Sequence, residues 1–264
     1  APEEVAQLLR KAGVPFKTSG ILDNLFASQG YDGCIGFLSK LPEDAQMRLR
    51  GAAATLLAKQ DLARAQVESL KLPEGPARNE MVAAVSQVWS ESDPRVALAW
   101  ALQHGREQDD STGGGSKHPG RSLLAALLLK DPKLGGELLL ENQSAFGGSY
   151  GPYILGQTFE TWAQRDYQAA TDWLAANPLG DELQASASQA LAATRLQSLK
   201  GAEALQFYET VPGHLKGDCA EALVNAVGLD GLPGGLAAFS ESLPEDERLD
   251  FLSRFWYGRS QLST

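Results

Sequence analysis

The chain has 264 residues, long enough for one large domain, two ordinary domains or an elongated array of repeats. It contains 40 Leu against 10 Val and 3 Ile, so helix-forming side chains outnumber the β-branched ones that favour strands, and the sequence predicts an all-α protein. A formal net charge of −10 would repel nucleic acid, so we expect no nucleic-acid partner. No apolar run reaches the roughly 20 residues that cross a bilayer, so we expect no membrane insertion.

The N-terminal segment is predicted to be a capping helix over residues 1–17. It begins "APEEVAQLLRKA", in which Val5, Leu8 and Leu9 lie on one face at helical spacing. The chain starts with Ala1 rather than an initiator Met, as it would after removal of a leader or an expression tag. This start favours an exported or periplasmic location.

A spacing pattern then recurs along the chain. "SESDPRVALAW" at 90–100 and "AQRDYQAATDW" at 163–173 both follow W-x3-D-x3-A-x2-W, counted from the Trp that precedes each Asp by four residues. With that Asp as the reference position, the same layout returns at intervals of 31, 32, 38, 35, 34 and 32 residues. The reference positions are Gly30, Asp61, Asp93, Asp131, Asp166, Lys200 and Leu232. A period in the thirties is typical of stacked helix-turn-helix repeats.

Each repeat is predicted to contain two helices that meet at the reference position. In the first six repeats, the first helix has a large apolar residue four positions before it, and the second has a small residue four positions after it, where two helices can approach closely. The seventh repeat differs, with Val227 one position earlier and Leu236 in place of the small residue. Asp at the reference position caps the second helix, and Pro follows Asp93 and Asp131. The structural anchors of the two complete patterns are Trp89, Asp93, Ala97, Trp100, Trp162, Asp166, Ala170 and Trp173. We expect these Trp side chains to pack in the core, whereas exposed ones would form a groove for sugar rings or peptide side chains.

Seven residues after the reference position, the second helix carries an aromatic or large apolar side chain. This position is occupied by Phe37, Trp100, Leu138, Trp173, Phe207 and Phe239. The second repeat has Glu68 there, and we expect its neighbour Val67 to substitute for the missing apolar side chain.

The layout resembles tetratricopeptide-like and other bacterial α/α-hairpin repeat proteins, and it is most similar to loosely defined arrays of D-P-x-x-A-x-x-W repeats. The resemblance covers residues 18–260, although the variable repeat length and the missing W-x2-L-G-x2-Y signature differ from true tetratricopeptide repeats. It implies a right-handed α-solenoid of about seven helix-turn-helix repeats with terminal capping helices and an extended concave binding surface. The whole chain, 1–264, is interpreted as one repeat domain, with seven hairpins in 18–243 and a C-terminal helix and tail in 244–264.

Two insertions interrupt the regular spacing and could together form a binding surface. They are "HGREQDDSTGGGSKHPG" at 104–120 and "NQSAFGGSYGPY" at 142–153, and both fall on the same edge of the predicted array. Loops on a rigid scaffold frequently bind ligands, whereas Gly-rich polar loops also serve as flexible connectors. The candidate binding residues are His104, Asp109, Asp110, His118, Tyr150 and Tyr153.

Motifs for catalysis and cofactor binding are incomplete in this sequence. "GGSYG" at 147–151 fits G-x-S-x-G, but helices are predicted on both sides of it instead of the strand and helix that present a nucleophile. The three His show no paired metal-ligand spacing, there is no C-x2-C, and "GGGSK" at 113–117 lacks the spacing of a phosphate loop. We therefore predict no catalytic residue, no metal site and no cofactor.

The two cysteines and the C-terminus complete the sequence pattern. Cys34 and Cys219 fall in the first and seventh repeats, too far apart for a disulfide, so two separate buried thiols are predicted.

"ERLDFLSRFWYG" near the C-terminus predicts a first helix without its partner helix. Either this helix caps the array, or further chain or a second subunit continues it, which would allow self-association through the C-terminal helix.

These features predict a non-catalytic scaffold or a module that binds a protein or peptide. Two alternatives stay open at this point. One is a carbohydrate- or small-ligand-binding module that uses the loop patch of 104–120 and 142–153, which requires exposed Trp and Tyr side chains. The other is an enzyme of helical-array architecture, which requires converging acids and bases with shifted pKa values.

Overall fold

The structure, a computed structural model, describes residues 19–106, 118–147, 151–243, 245, 248–249 and 251–253. Every regular element in this part of the chain is a helix, so the prediction of an all-α protein is confirmed. No helix within these ranges combines the length and the apolar character needed to cross a membrane. The predicted capping helix in 1–17 and the tail beyond residue 253 lie outside the described residues.

The first of two compact units covers residues 1–141. Its helices are α1 (Ser19–Leu38), α2 (Glu43–Gln60), α3 (Leu62–Lys71), α4 (Pro76–Trp89), α5 (Pro94–His104), α6 (Pro119–Lys130) and α7 (Pro132–Glu141). Each helix packs on the next one along the chain, and α4 also packs on α2 and α6. Leu22, Cys34, Leu57 and Met81 lie in the core that α1 to α4 enclose.

The second unit covers residues 142–264. It contains a short 3-10 helix (Gln143–Phe146), α8 (Gly151–Ala176), α9 (Asp181–Ser198), α10 (Gly201–Thr210), α11 (Gly213–Val227), a 3-10 turn (Leu229–Gly231) and α12 (Gly235–Glu241). Helix α9 packs on α8, α10 and α11. A core formed by α9 to α12 includes Leu196, Cys219, Leu223 and Phe239. The single-domain interpretation of 1–264 stays a prediction.

Four Asp residues join successive helical segments with the same backbone geometry. Asp61, Asp93, Asp131 and Asp166 have φ between −152 and −139° and ψ between 85 and 92°. Each side chain accepts a hydrogen bond of 2.9–3.1 Å from the backbone N–H three residues later. This bond satisfies one of the N–H groups that a helix start leaves without an intrahelical partner. At Asp61, Asp131 and Asp166 a single non-helical residue therefore ends one helix and begins the next, whereas residues 90–92 form a turn before Asp93.

Backbone hydrogen bonds of the same Asp connect it to the residues four positions before and after it. At Asp61, Asp93 and Asp131, the Asp N–H donates to the carbonyl four residues earlier, and the Asp carbonyl accepts from the N–H four residues later. The later residue is buried in six hairpins, as Cys34, Ala65, Ala97, Gly135, Ala170 and Ala204. A Cβ on Gly135 would lie 2.3 Å from Cα of Leu128, so no side chain fits where the two helices approach most closely.

The remaining reference positions form their turns in other ways. Gly30 interrupts α1 with φ 67° and ψ −167°, a conformation that favours glycine. Lys200 provides no side-chain cap, and Gly201 after it has φ 51°. Leu232 follows a 3-10 turn instead of joining two helices directly. The Asp cap is thus one local solution, and a glycine with positive φ is the other.

The two Trp residues of each complete pattern contact one another across their hairpin. The ring centroids of Trp89 and Trp100 are 6.1 Å apart, and those of Trp162 and Trp173 are 6.0 Å apart. Phe159 adds contacts of 5.6 and 5.9 Å to the second pair. Tilted rings at such distances attract one another, so each pair stabilises the seam between two helices. Trp162 is only 4% exposed, whereas the other three Trp residues are half-buried.

The second hairpin has a charged contact where other hairpins have an aromatic side chain. Val67, which was expected to substitute, is 56% exposed, so that expectation is wrong. Burial, together with the nearby Glu68 carboxylate, raises the pKa of Tyr31 to about 12. Glu68 itself pairs with Lys71 at 2.7 Å, and the guanidinium carbon of Arg64 lies 5.8 Å from the centroid of the Tyr31 ring. Glu68 thus stands beside a phenol that stays neutral.

The two cysteines are buried and free, which confirms the prediction of separate thiols. Cys34 belongs to the first unit and Cys219 to the second. Burial raises the pKa of the Cys34 thiol, whose Sγ donates a weak hydrogen bond to the carbonyl oxygen of Leu22 at 3.7 Å. Cys34 is therefore a small core side chain at the closest approach of its hairpin.

Replacing Asp93 with Ala removes the oxygen that caps α5. We expect this change to lower the free energy of unfolding by about 1 kcal/mol, the usual cost of a lost N-cap. Asp93→Asn keeps a side-chain acceptor and should cost only a fraction of that. Urea unfolding at neutral pH, followed by circular dichroism, gives both values. An equal loss in the two variants would show that charge, not capping, explains the Asp.

The same glycine-to-alanine change should have opposite effects at two positions of the first unit. Gly135→Ala places a methyl group against the backbone of the preceding helix, and we expect a loss of about 1–3 kcal/mol. Gly36 is exposed within α1, and the methyl group that Ala would add there meets nothing within 4 Å among the described residues. Gly36→Ala should therefore stabilise by about 0.5–1 kcal/mol. Urea unfolding followed by Trp fluorescence measures both, and a stabilising Gly135→Ala would contradict the close approach of α6 and α7.

Candidate functional site

The second unit contains an open groove with a volume of about 640 Å³. Its walls come from the C-terminal half of α8, from α9, from the end of α10 and from the start of α11. The floor is apolar and buried, and consists of Leu174, Leu191, Val211 and Leu215. A concave apolar site of this volume is in the range that holds ligands or the side chains of a bound peptide.

Two helices each present one stripe of side chains to this groove. Residues at i, i+4 and i+7 share a helix face, and both stripes have that spacing. The stripes are Tyr167, Thr171 and Leu174 in α8, and Gln184, Ser188 and Leu191 in α9. In each stripe the Leu is buried and the two preceding side chains are half-buried. Because α9 packs on α8 and α11, the stripes meet along one face of the unit.

Three polar side chains of the groove, Thr171, Thr210 and Asp181, offer hydrogen-bond acceptors. Thr171 Oγ1 donates to the backbone carbonyl four residues earlier at 2.9 Å, and Thr210 Oγ1 donates to the one three residues earlier at 2.6 Å. Each hydroxyl has thereby used its hydrogen, and its lone pairs remain. Asp181 adds an exposed carboxylate in the first turn of α9. Gln184 offers a donor, because its Oε1 accepts from the N–H of Leu179 at 3.0 Å and its NH2 group remains. The hydroxyls of Tyr167 and Ser188 can donate as well as accept.

Aromatic side chains lie at two places along the groove. Tyr167 and Phe207 are half-buried, so each presents part of its ring to the groove. The guanidinium carbon of Arg195 lies 5.5 Å from the centroid of the Tyr167 ring, an attractive cation–π distance. The exposed His214 lines the groove at the start of α11. These rings provide flat apolar surface next to the polar groups.

The structure describes three of the six residues predicted from the inserted loops. The other three lie outside the described residues: Asp109, Asp110 and Tyr150. His104 and His118 belong to the first unit and Tyr153 to the second. Tyr153 is 57% exposed, and its hydroxyl accepts a hydrogen bond of 2.6 Å from Gln157 Nε2. The composite loop surface stays a prediction.

His104 and His118 are held at the ends of two helices. His104 ends α5, where its ring lies 5.4 Å from the ring of Trp100. His118 caps the start of α6, since its Nδ1 accepts a hydrogen bond of 3.1 Å from the N–H of Gly120. A Cβ on Gly105 would lie 3.1 Å from Cε1 of His118, so this ring packs against the backbone directly after His104. Both rings have structural contacts in these positions.

Two arginines give His104 a positive environment. Burial, together with the charges of Arg78 and Arg106, holds the pKa of His104 below its usual value. Arg106 pairs with Glu74 at 2.9 Å, and the Asn79 amide makes hydrogen bonds of 2.8 and 3.0 Å to the backbone of Arg106. Nε of Arg78 is buried and has no hydrogen-bond partner in the described part of the chain. The neutral imidazole is therefore the favoured form.

We expect Arg106→Gln to raise the pKa of His104 towards its ordinary value of about 6.5, because the change removes one of the two repelling charges. NMR titration of the imidazole Cε1–H resonance measures this shift. Arg95→Gln is the matched control, because Arg95 lies on the same helix but pairs with Glu137 and Glu141. An unchanged pKa in Arg106→Gln would contradict the assigned cause.

The direction of the shift also fixes its effect on stability. The folded-state pKa of His104 lies below the unfolded-state value, so the unfolded chain binds this proton more readily. This contribution to stability is present above about pH 6.5 and is lost as the pH falls through the folded-state pKa. Arg106→Gln should weaken the dependence in that range.

Comparisons with known proteins identify no family for this chain. No protein-family model, no curated protein and no solved structure matches the chain. Across the described ranges, no group of three or more His, Cys, Asp or Glu side chains is placed to hold a metal ion.

Sequence reasoning missed the groove. It assigned the candidate site to the inserted loops, where the spacing of the pattern breaks. The available signal was the shared spacing in α8 and α9, where two polar or aromatic side chains precede a Leu on the same helix face. The sequence does not show which two helices place these faces together, because that depends on packing between hairpins.

Proposed function

We propose that this chain is an α/α-hairpin repeat protein, with about seven hairpins stacked into a right-handed solenoid, that binds a segment of another protein without catalysing a reaction. Support for the array comes from the Asp caps, which share one backbone geometry and recur at intervals in the thirties. Further support comes from the fully buried small residues after each cap and from the Trp pairs across two hairpins. Stacked hairpins of this type form extended concave binding surfaces.

The groove of the second unit is the observation that carries the binding role. Its apolar floor can take large side chains of a partner, and its acceptors can bind backbone or side-chain N–H groups. Apolar, hydroxyl and amide side chains make up most of its walls, which suits positioning more than bond-breaking. Among the described residues that line it there is no Trp, the side chain that stacks best on sugar rings, and this favours a protein segment over a carbohydrate.

Filling the groove should abolish peptide binding. Ser188 is half-buried in the groove wall, so Ser188→Trp places a large ring where a partner side chain would lie. Ser198→Trp is the matched control, since Ser198 is exposed at the end of the same helix and does not line the groove. Peptides selected by the wild-type protein from a random displayed library would be synthesised with a fluorescein label. Fluorescence anisotropy should then give a dissociation constant at least about tenfold weaker for Ser188→Trp.

Two results would contradict this proposal. One is a selection that yields no binding peptide. The other is a set of peptides that bind Ser188→Trp as tightly as the wild type, which would place the binding surface elsewhere. Circular dichroism of both Trp variants checks that the helices are retained.

A further inference from the structure

We infer that the segment held by this groove is cationic, with apolar side chains on the floor and Lys or Arg side chains at the polar groups. The inference rests on the proposed function and adds the chemistry of its partner. It is carried by three observations: the charge of the second unit, the surroundings of its basic residues, and the acceptors along the groove.

The second unit is strongly acidic. Residues 151–243 contain eleven Asp and Glu against four Lys and Arg, which gives a formal charge of −7 from those side chains. Several charged side chains line the groove, adjoin a lining residue in sequence or contact one. They are Asp166, Asp172, Asp181, Glu182, Glu209, Arg195 and Lys216. Five acids therefore stand against two bases there. A field of this sign attracts a basic segment and slows the approach of an acidic one.

Both bases near the groove are engaged with the protein itself. The ammonium of Lys216 lies 3.3 Å from Glu209 and 5.2 Å from the centroid of the Tyr208 ring. Arg195 is held over the ring of Tyr167. A carboxylate of a partner would compete with these contacts. By contrast, Asp172 accepts a hydrogen bond of 2.7 Å from a neutral amide, Gln168 Nε2, which leaves its negative charge without compensation from that contact.

Three acceptors in the groove favour the same partner. Thr171 and Thr210 have donated their hydroxyl hydrogens to their own helices, so towards a ligand they act as acceptors. Asp181 is an acceptor with a full charge. An ammonium or guanidinium group supplies donors to all three, whereas a carboxylate supplies none. The long stems of Lys and Arg can also lie along the apolar floor while their charged ends reach these groups.

Three synthetic peptides of about twelve residues test this inference. They share the same Leu and Phe positions and carry Lys, Gln or Glu at all other positions, with a fluorescein label for anisotropy. We expect the Lys peptide to bind at least about tenfold more tightly than the Glu peptide, with the Gln peptide between them. The preference should decrease between about 50 mM and about 300 mM NaCl, because salt screens exposed charges.

Two neighbouring acids separate a local contact from general attraction. Asp181 and Glu182 are both exposed in the first turn of α9, but only Asp181 lines the groove. Asp181→Asn should weaken binding of the Lys peptide about twofold to fivefold, the range for one exposed charge pair. Glu182→Gln removes the same charge from the same helix turn and should have a smaller effect. Ser188→Trp should reduce binding of the Lys peptide as it does for selected peptides.

The other outcomes would contradict either the cationic partner alone or the proposed binding function as well. Equal binding of the three peptides, still blocked by Ser188→Trp, would overturn the cationic partner and leave the proposed function in place. Equal effects of Asp181→Asn and Glu182→Gln, or Lys-peptide binding that survives Ser188→Trp, would mean attraction to the acidic surface instead of the groove, and would overturn the inference. If library-selected peptides also fail to bind, both the inference and the proposed function would be contradicted.

Discussion

The hydrogen bond from a backbone N–H to the Asp carboxylate three residues earlier is the contact on which four of the hairpin turns depend. With this bond a new helix starts directly after the Asp, so the two helices diverge from a common point. Close to that point there is no room for large side chains, which is why Ala97, Gly135 and Ala170 are buried there. Further along, the helices separate enough for two Trp rings to lie between them.

The groove follows from how hairpins pack on one another, and not from the turns themselves. Helix α9 contacts α8, α10 and α11. These neighbours border the face of α9 that carries Gln184 and Ser188, and leave it open as the groove. The Leu residues of this face are covered by the adjacent helices, whereas Ser188 and Gln184 remain half-buried. Stacked helical repeats form concave surfaces because each repeat is rotated slightly relative to the one before it.

The acidic character of the chain has both a structural and a surface origin. The capping residues Asp61, Asp93, Asp131 and Asp166 are negative because Asp is among the best N-caps and because a helix N-terminus favours negative charge. Asp172 and Glu209 have no such role, since both lie within helices and away from their first turns. Among the acids near the groove, Asp181 lines it directly, whereas Asp172 and Glu209 adjoin lining residues in sequence.

Local spacing along the chain was enough to predict three features: the helical class, the small residues after the helix junctions, and the junctions themselves at Asp61, Asp93, Asp131 and Asp166. Hydrogen bonds between residues three or four apart fix these, so one stretch of chain is enough to predict them. Tertiary structure alone decided that Val67 is exposed, that Trp89 is only half-buried and that residues from 167 to 215 line one groove. The reason is physical: burial depends on which neighbouring helix covers a face, and that neighbour is distant in sequence.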